Sequence, residues 1–199
     1  MKILVITISV IIVLFIVFQS FTIMSSKKTE EQKYTVVHAD REFEIRFYPA
    51  AILATIKSDA TTYRELANPG FSKLAGYIFG GNEAETKISM TSPVHMDIND
   101  SISEMSFVMP SQYNENNLPK PDDSKVVIHK TSDEYVAAIR FSGFASDKDI
   151  RTYSDKLKNL LIANKIAWYG NFRFLGYNPP FQLLGRRNEI IVSVRWEKY

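Results

Sequence analysis

Cysteine is absent from the 199-residue chain, and this removes several kinds of chemistry at once. Without a thiolate there is no disulfide, no cysteine nucleophile, no iron–sulfur cluster, no cysteine-ligated heme and no lipidated cysteine. Histidine is scarce, at three residues. His38, His95 and His129 lie far apart and form no His-x-x-x-His pair. His95 and Asp97 share one face of an expected strand, but two ligands do not close a metal site. A large charge excess is also missing. The formal net charge of +2 gives no field suited to nucleic acid, so the expected partner is a small molecule or another protein. Catalytic signatures are thin. There is no Gly-x-Ser-x-Gly elbow and no P-loop, and Gly80-Gly81 reads as a helix stop rather than a phosphate cradle. Glu83 with Glu85, and Asp97 with Asp100, read as solvated loop charge. No catalytic residue, no metal site and no enzyme activity are expected.

The chain does contain a long apolar run. Lys2 precedes Ile3 to Phe18, broken only by Thr7 and Ser9, and after Gln19-Ser20 the run resumes through Phe21, Ile23 and Met24. Counted to Ile23 this is about 21 residues, enough for a helix to cross a bilayer core of ~30 Å. Residues 1–24 are therefore expected to be a single-pass anchor, with the domain outside the cytoplasm. A cleaved signal segment, leaving a soluble exported protein, is the alternative. It fits less well, because the run is rich in Ile, Val and Phe and lacks an Ala-x-Ala-like site. Residues 25–33 are polar and read as a tether, and residues 34–199 as one domain.

Within that domain the pattern is strand, strand, helix, strand, strand, and then the same again. Phe43–Tyr48 and Ala51–Ile56 read as strands, and Phe71, Leu74, Ala75 and Ile78 fall at helical spacing after an interruption at Pro69-Gly70. Strands follow around Ile88–Thr91, Val94–Ile98 and Met105–Met109. After a turn-rich joint from Pro110 to Ser124, strands are expected at Val126–His129 and Tyr135–Phe141. A helix capped by Ser146 comes next, carrying Ile150, Tyr153, Leu157, Leu160 and Leu161. Strands at Phe172–Gly176 and Ile190–Trp196 close the pattern. The duplication rests on element order alone and implies an α+β domain with a largely antiparallel sheet and two flanking helices.

Several runs carry a family resemblance: Glu44-Ile45-Arg46-Phe47-Tyr48, Phe71-Ser72-Lys73-Leu74-Ala75-Gly76-Tyr77-Ile78 with Gly80 and Asn82, Ile88-Ser89-Met90-Thr91-Ser92-Pro93-Val94, Met105 to Pro110, and Arg186-Arg187-Asn188-Glu189 before the last strand. In this order and spacing, from about Tyr34 to Tyr199, they resemble the SOUL family of heme-binding proteins. The resemblance implies a distorted eight-stranded β-barrel with two helices, and a domain that binds heme or another tetrapyrrole as carrier, buffer or sensor.

The residues themselves leave several roles open. An apolar macrocycle needs an apolar wall and a cationic rim. Phe71, Leu74, Ala75 and Ile78 are the candidate wall, with Lys73 or Arg186 as candidate propionate contacts. The same apolar residues also serve for packing the helix on the sheet. Arg186 and Arg187 suit carboxylates, but they also suit Glu189 or the carbonyls of the loop after Pro180. On an extended backbone at most one of them need face a pocket. Glu189 reads as a buried arginine partner or as a ligand-facing carboxylate, and Met90 as core filling rather than an iron ligand. Two other functions remain: a small-molecule hydrolase or cation-binding effector domain using a pocket carboxylate such as Glu189, and a protein-interaction module at the membrane with no ligand.

Overall fold

The computed structural model describes residues 2–197. Met1, Lys198 and Tyr199, which end the expected segments 1–24 and 34–199, lie outside the described residues. The elements in chain order are α1 (Lys2–Lys28), β1 (Glu30–Glu31), β2 (Thr35–Ala39), β3 (Glu44–Tyr48), β4 (Ile52–Ser58), α2 (Tyr63–Ile78), β5 (Thr91–Ser92), β6 (Val94–Asp97), β7 (Ser103–Val108), β8 (Val127–Lys130), β9 (Glu134–Phe141), α3 (Asp147–Ala163), β10 (Trp168–Gly176) and β11 (Asn188–Val194).

Nine strands form one sheet in the order β2-β3-β9-β11-β10-β6-β7-β4-β8, and every ladder in it is antiparallel. The expected duplication is visible in this order. From the central β10–β6 pair, one side reads β10-β11-β9-β3 and the other β6-β7-β4-β8. In each half the third, fourth and second strands lie side by side, and the opening strand comes from the other half. This exchange of β3 and β8 ties the two halves into a single sheet.

Closure into an eight-stranded barrel is not observed. The ladders run from β2 at one edge to β8 at the other, and none joins those edges among the described residues. β2, a strand the sequence reading did not separate, pairs along the outer edge of β3. That edge is the one a closing strand would need. The segment read as a tether is also ordered: α1 continues to Lys28, and Glu30–Glu31 pairs in parallel with Thr91–Ser92. The strand expected at Ile88–Thr91 shrinks to Thr91–Ser92, although Ile88 itself is buried.

α2 runs through Pro69, where the sequence suggested an interruption. Proline removes one helical hydrogen bond, yet Leu66 and Gly70 on either side of it are buried on the sheet. The helix approaches closely at Gly70, where a Cβ would lie 3.0 Å from Met105 Cε and would have to displace it. Thr62 caps the helix, its side chain accepting from Glu65 N, and Asp147 at the start of α3 accepts from Tyr63 N at 2.6 Å. The N-termini of the two helices are thereby joined. Leu66, Leu74 and Ile78 of α2 and Leu157 and Leu161 of α3 meet Ile45, Met105, Phe174 and Ile190 in the main core. A smaller cluster comprises Tyr48, Val136, Ala138, Leu175 and Ile191, with Tyr34 and Tyr177 against it.

Candidate ligand-binding site

A cavity of about 490 Å³ opens between α2, the C-terminal turns of α1 and the loop that follows β10, within the ~300–1,000 Å³ usual for small-molecule sites. Tyr63, Ala67 and Phe71 of α2 form one wall, and Val94, Met96 and Phe174 line it from the sheet. Thr22 and Ser26 of α1, Pro179, Phe181 and Arg186 complete it. Two aromatic contacts set the wall: Tyr63 meets Phe174 edge-on at 5.3 Å, and Phe71 meets Phe107 at 5.3 Å.

Of the residues expected to bind the ligand, Phe71 and Arg186 line this cavity. Leu74, Ala75 and Ile78 are buried against the core instead, and Lys73 is exposed and away from the cavity. The cause is helical phase. Leu66, Gly70, Leu74 and Ile78 form the buried i, i+4 stripe, and Tyr63, Ala67 and Phe71 form the neighbouring, less buried stripe, which touches the sheet through Phe174 and Phe107. Ala67 and Tyr63, one and two turns before Phe71, lie beyond the interruption expected at Pro69-Gly70, and the helix that continues through Pro69 brings them onto the wall. Met96, Phe174 and Phe181 arrive only through tertiary structure.

The two adjacent arginines point apart. Arg186 Nη1 donates to the carbonyls of Pro179 and Gln182 at 2.7 Å each, and its guanidinium lies 4.5 Å from the Phe144 ring centre. It holds the loop together by its backbone. Its Nε–H is buried and has no partner among the described residues. Burial holds its pKa below the usual arginine value, with the Tyr63 phenol opposing the shift. Arg186→Ala removes charge-assisted bonds worth roughly 1.5–3 kcal/mol. The melting temperature should fall by roughly 3–12 °C, at about 2–4 °C per kcal/mol for a domain of this size. Thermal denaturation followed by circular dichroism checks this, and an unchanged melt would show that the loop does not depend on the guanidinium.

Arg187 joins Arg46 around Glu189, which is fully buried. Arg46 Nη1 donates to Glu189 Oε2 at 2.6 Å and Nη2 to Oε1 at 3.2 Å. Arg187 Nε donates to Oε1 at 2.9 Å, and the Tyr177 hydroxyl to Oε2 at 2.9 Å. Arg46 also rests 4.3 Å from the centre of the Tyr34 ring, and Arg187 3.8 Å from that of Tyr177. Burial alone would raise the Glu189 pKa, but the bonds and charge of Arg46 and then of Arg187 outweigh it and hold the carboxyl below its usual range. Burial beside this carboxylate pushes the Tyr177 phenol well up, so it stays a donor. Each oxygen of Glu189 already accepts twice, and Glu189 does not line the cavity.

None of the three histidines lines it either. His38 and His129 are exposed on β2 and β8, His38 with its ring 5.4 Å from Trp196. His95 is buried, its Nε2 paired with Gln32 Oε1 at 2.7 Å. Burial, with a smaller push from Arg173, lowers its pKa to about 3. A neutral folded imidazole that gains a proton on unfolding loses stability as pH falls from about 6.5 towards about 3, by up to about 1.4 kcal/mol per pH unit. Denaturant melts of His95→Gln should show a shallower dependence across this window. A parent protein equally stable at pH 6.5 and pH 4.5 would contradict the burial. No group of three or more metal-ligating side chains occurs among the described residues.

The sequence model of the SOUL heme-binding protein family matches residues 29–193. "Heme-binding protein 2" of Mus musculus is 32% identical over 156 residues, covering 74% of this chain and 76% of that protein. "Heme-binding protein 1" of Xenopus laevis is 28% identical over 156 residues, covering 74% and 81%. Among solved structures, the EcmrR C-terminal domain superposes with a TM-score of 0.57 at 10% identity over 82% of this chain and 99% of that one. A hydrolase from Listeria innocua does so with a TM-score of 0.52 at 8% identity, over 80% and 94%. These two likenesses concern the fold alone.

Proposed function

The chain belongs to the SOUL heme-binding protein family, and we propose that its cavity binds heme or a related porphyrin without catalysis, as a carrier, buffer or sensor tethered to a membrane by α1. The supporting observation is the cavity's character: a wall of Tyr63, Phe71, Phe174 and Met96 beside one guanidinium whose buried Nε–H lacks a partner. The names of the curated relatives point the same way. α1 is long and apolar enough to cross a membrane. The Glu189 carboxylate, saturated by two arginines and a phenol, does not favour a pocket-carboxylate hydrolase or cation site.

The lining offers iron only the thioethers of Met90 and Met96 and the phenols of Tyr63 and Tyr177. Burial raises both phenol pKa values, and the Tyr177 hydroxyl is already engaged with Glu189 Oε2 at 2.9 Å. Affinity then rests on burial of the macrocycle. At ~25 cal/mol per Å², a few hundred Å² gives several kcal/mol before entropy costs, enough for micromolar binding.

Titration followed by the Soret band should saturate near one equivalent of hemin. Metal-free protoporphyrin should bind nearly as well, and His38→Ala, His95→Ala and His129→Ala should each change affinity by less than about tenfold. Absence of any Soret change refutes the proposal. A histidine variant that loses hemin but keeps protoporphyrin refutes the burial-dominated mechanism. Arg186→Ala, which removes a cation from the cavity lining, should weaken hemin binding more than it weakens binding of octaethylporphyrin, which carries no carboxylate.

A further inference from the structure

The apolar run of α1 has a polar break at Gln19-Ser20, and the structure gives Gln19 a use. Its side chain is almost fully buried, at 3% exposure. Nε2 donates to the Phe181 carbonyl at 3.3 Å, and Oε1 accepts from Leu183 N at 2.9 Å. Two helical turns on, Ser26 donates to Gln182 Oε1 at 2.7 Å. An amide left unpaired in hydrocarbon costs several kcal/mol, and here both ends of the amide are satisfied by the loop after β10. Gln19 is the point where the loop docks on the helix.

The loop carries a second signal. Phe181, Leu183 and Leu184 are 55%, 44% and 60% exposed, next to a helix whose own apolar side chains are bare from Ile3 to Phe18. Phe181 lies 6.4 Å from Phe18, ring centre to ring centre. If Ile3–Ile23 crosses a core of ~30 Å at 1.5 Å per residue, Gln19 sits about 6 Å inside the end of the span. The loop bonded to it lies at that depth, which is the ~5–10 Å typical of interfacial insertion.

We propose that the turn 179–184 is bedded in the lipid bilayer beside α1, so that the mouth of the cavity opens at the membrane surface. Phe181 and Pro179 belong to both the turn and the cavity lining, which places the ligand's entrance at the lipid interface. The inference rests on the reading of α1 as an anchor.

The absence of cysteine makes the test direct. Full-length Leu184→Cys and Ile162→Cys carry an environment-sensitive fluorophore and are reconstituted into phosphatidylcholine vesicles containing acyl-chain spin labels. Ile162 is exposed and lies near the far end of α3, about 22 Å from the helix start that adjoins α2. The label at Leu184 should be blue-shifted and quenched far more strongly than the label at Ile162. Equal quenching in protein that floats with the vesicles overturns the inference and leaves the anchor standing. Protein that fails to float without detergent overturns both.

Discussion

Glu189→Ala is expected to cost about 3–5 kcal/mol of stability, because it strips the buried side of Arg46 and Arg187 and leaves each only a partly exposed partner, Glu44 and Glu31. At about 2–4 °C per kcal/mol, the melting temperature should fall by roughly 6–20 °C. The pH dependence has a definite sign. The Arg46 and Arg187 guanidiniums hold the folded carboxyl below its ordinary value despite burial. Its contribution is therefore fully present above about pH 4.3 and is lost as pH falls through the folded pKa. Glu189→Gln, which keeps the shape, should flatten this acid arm. Hemin affinity at a temperature where the variant is folded should change by less than about tenfold, because the carboxylate does not line the cavity. A variant as stable as the parent at pH 7 would show that the cluster is not held by charge pairing.

What the sequence made legible follows from periodicity. Strand alternation and the helical spacing of Leu74 and Ile78 report burial on the nearest packed face, and both residues are indeed buried. Periodicity does not say which of two adjacent stripes on one helix faces a cavity. Leu74, Ala75 and Ile78 fit either wall or packing by their spacing, and the structure buries all three. At Arg186 and Arg187 the sequence allows only that one of the pair face a pocket, and the structure puts Arg186 on the cavity lining and Arg187 on Glu189. The exchange of β3 and β8 between the halves was hidden, since element order is the same with or without it. So was Gln19, which reads as a flaw in an apolar run until the loop from the other end of the chain supplies its partners.

The two stripes of α2 give opposite expected results, and one pair of variants separates them. Ala67 presents only a methyl group to the cavity. Ala67→Trp should fill that space with an indole and weaken hemin binding by at least about 100-fold, or roughly 2.7 kcal/mol. The melting temperature should hold or rise, because the added ring enters existing volume rather than a packed core. Leu74→Ala on the neighbouring stripe removes a fully buried side chain and should cost about 2–5 kcal/mol of stability, with hemin affinity retained in the folded protein. Hemin titration and thermal melts of the two variants test this directly. If Ala67→Trp binds hemin like the parent, the porphyrin does not enter between α2 and the sheet. If Leu74→Ala loses hemin binding while keeping its stability, the ligand face of the helix is the stripe that the structure packs on the sheet.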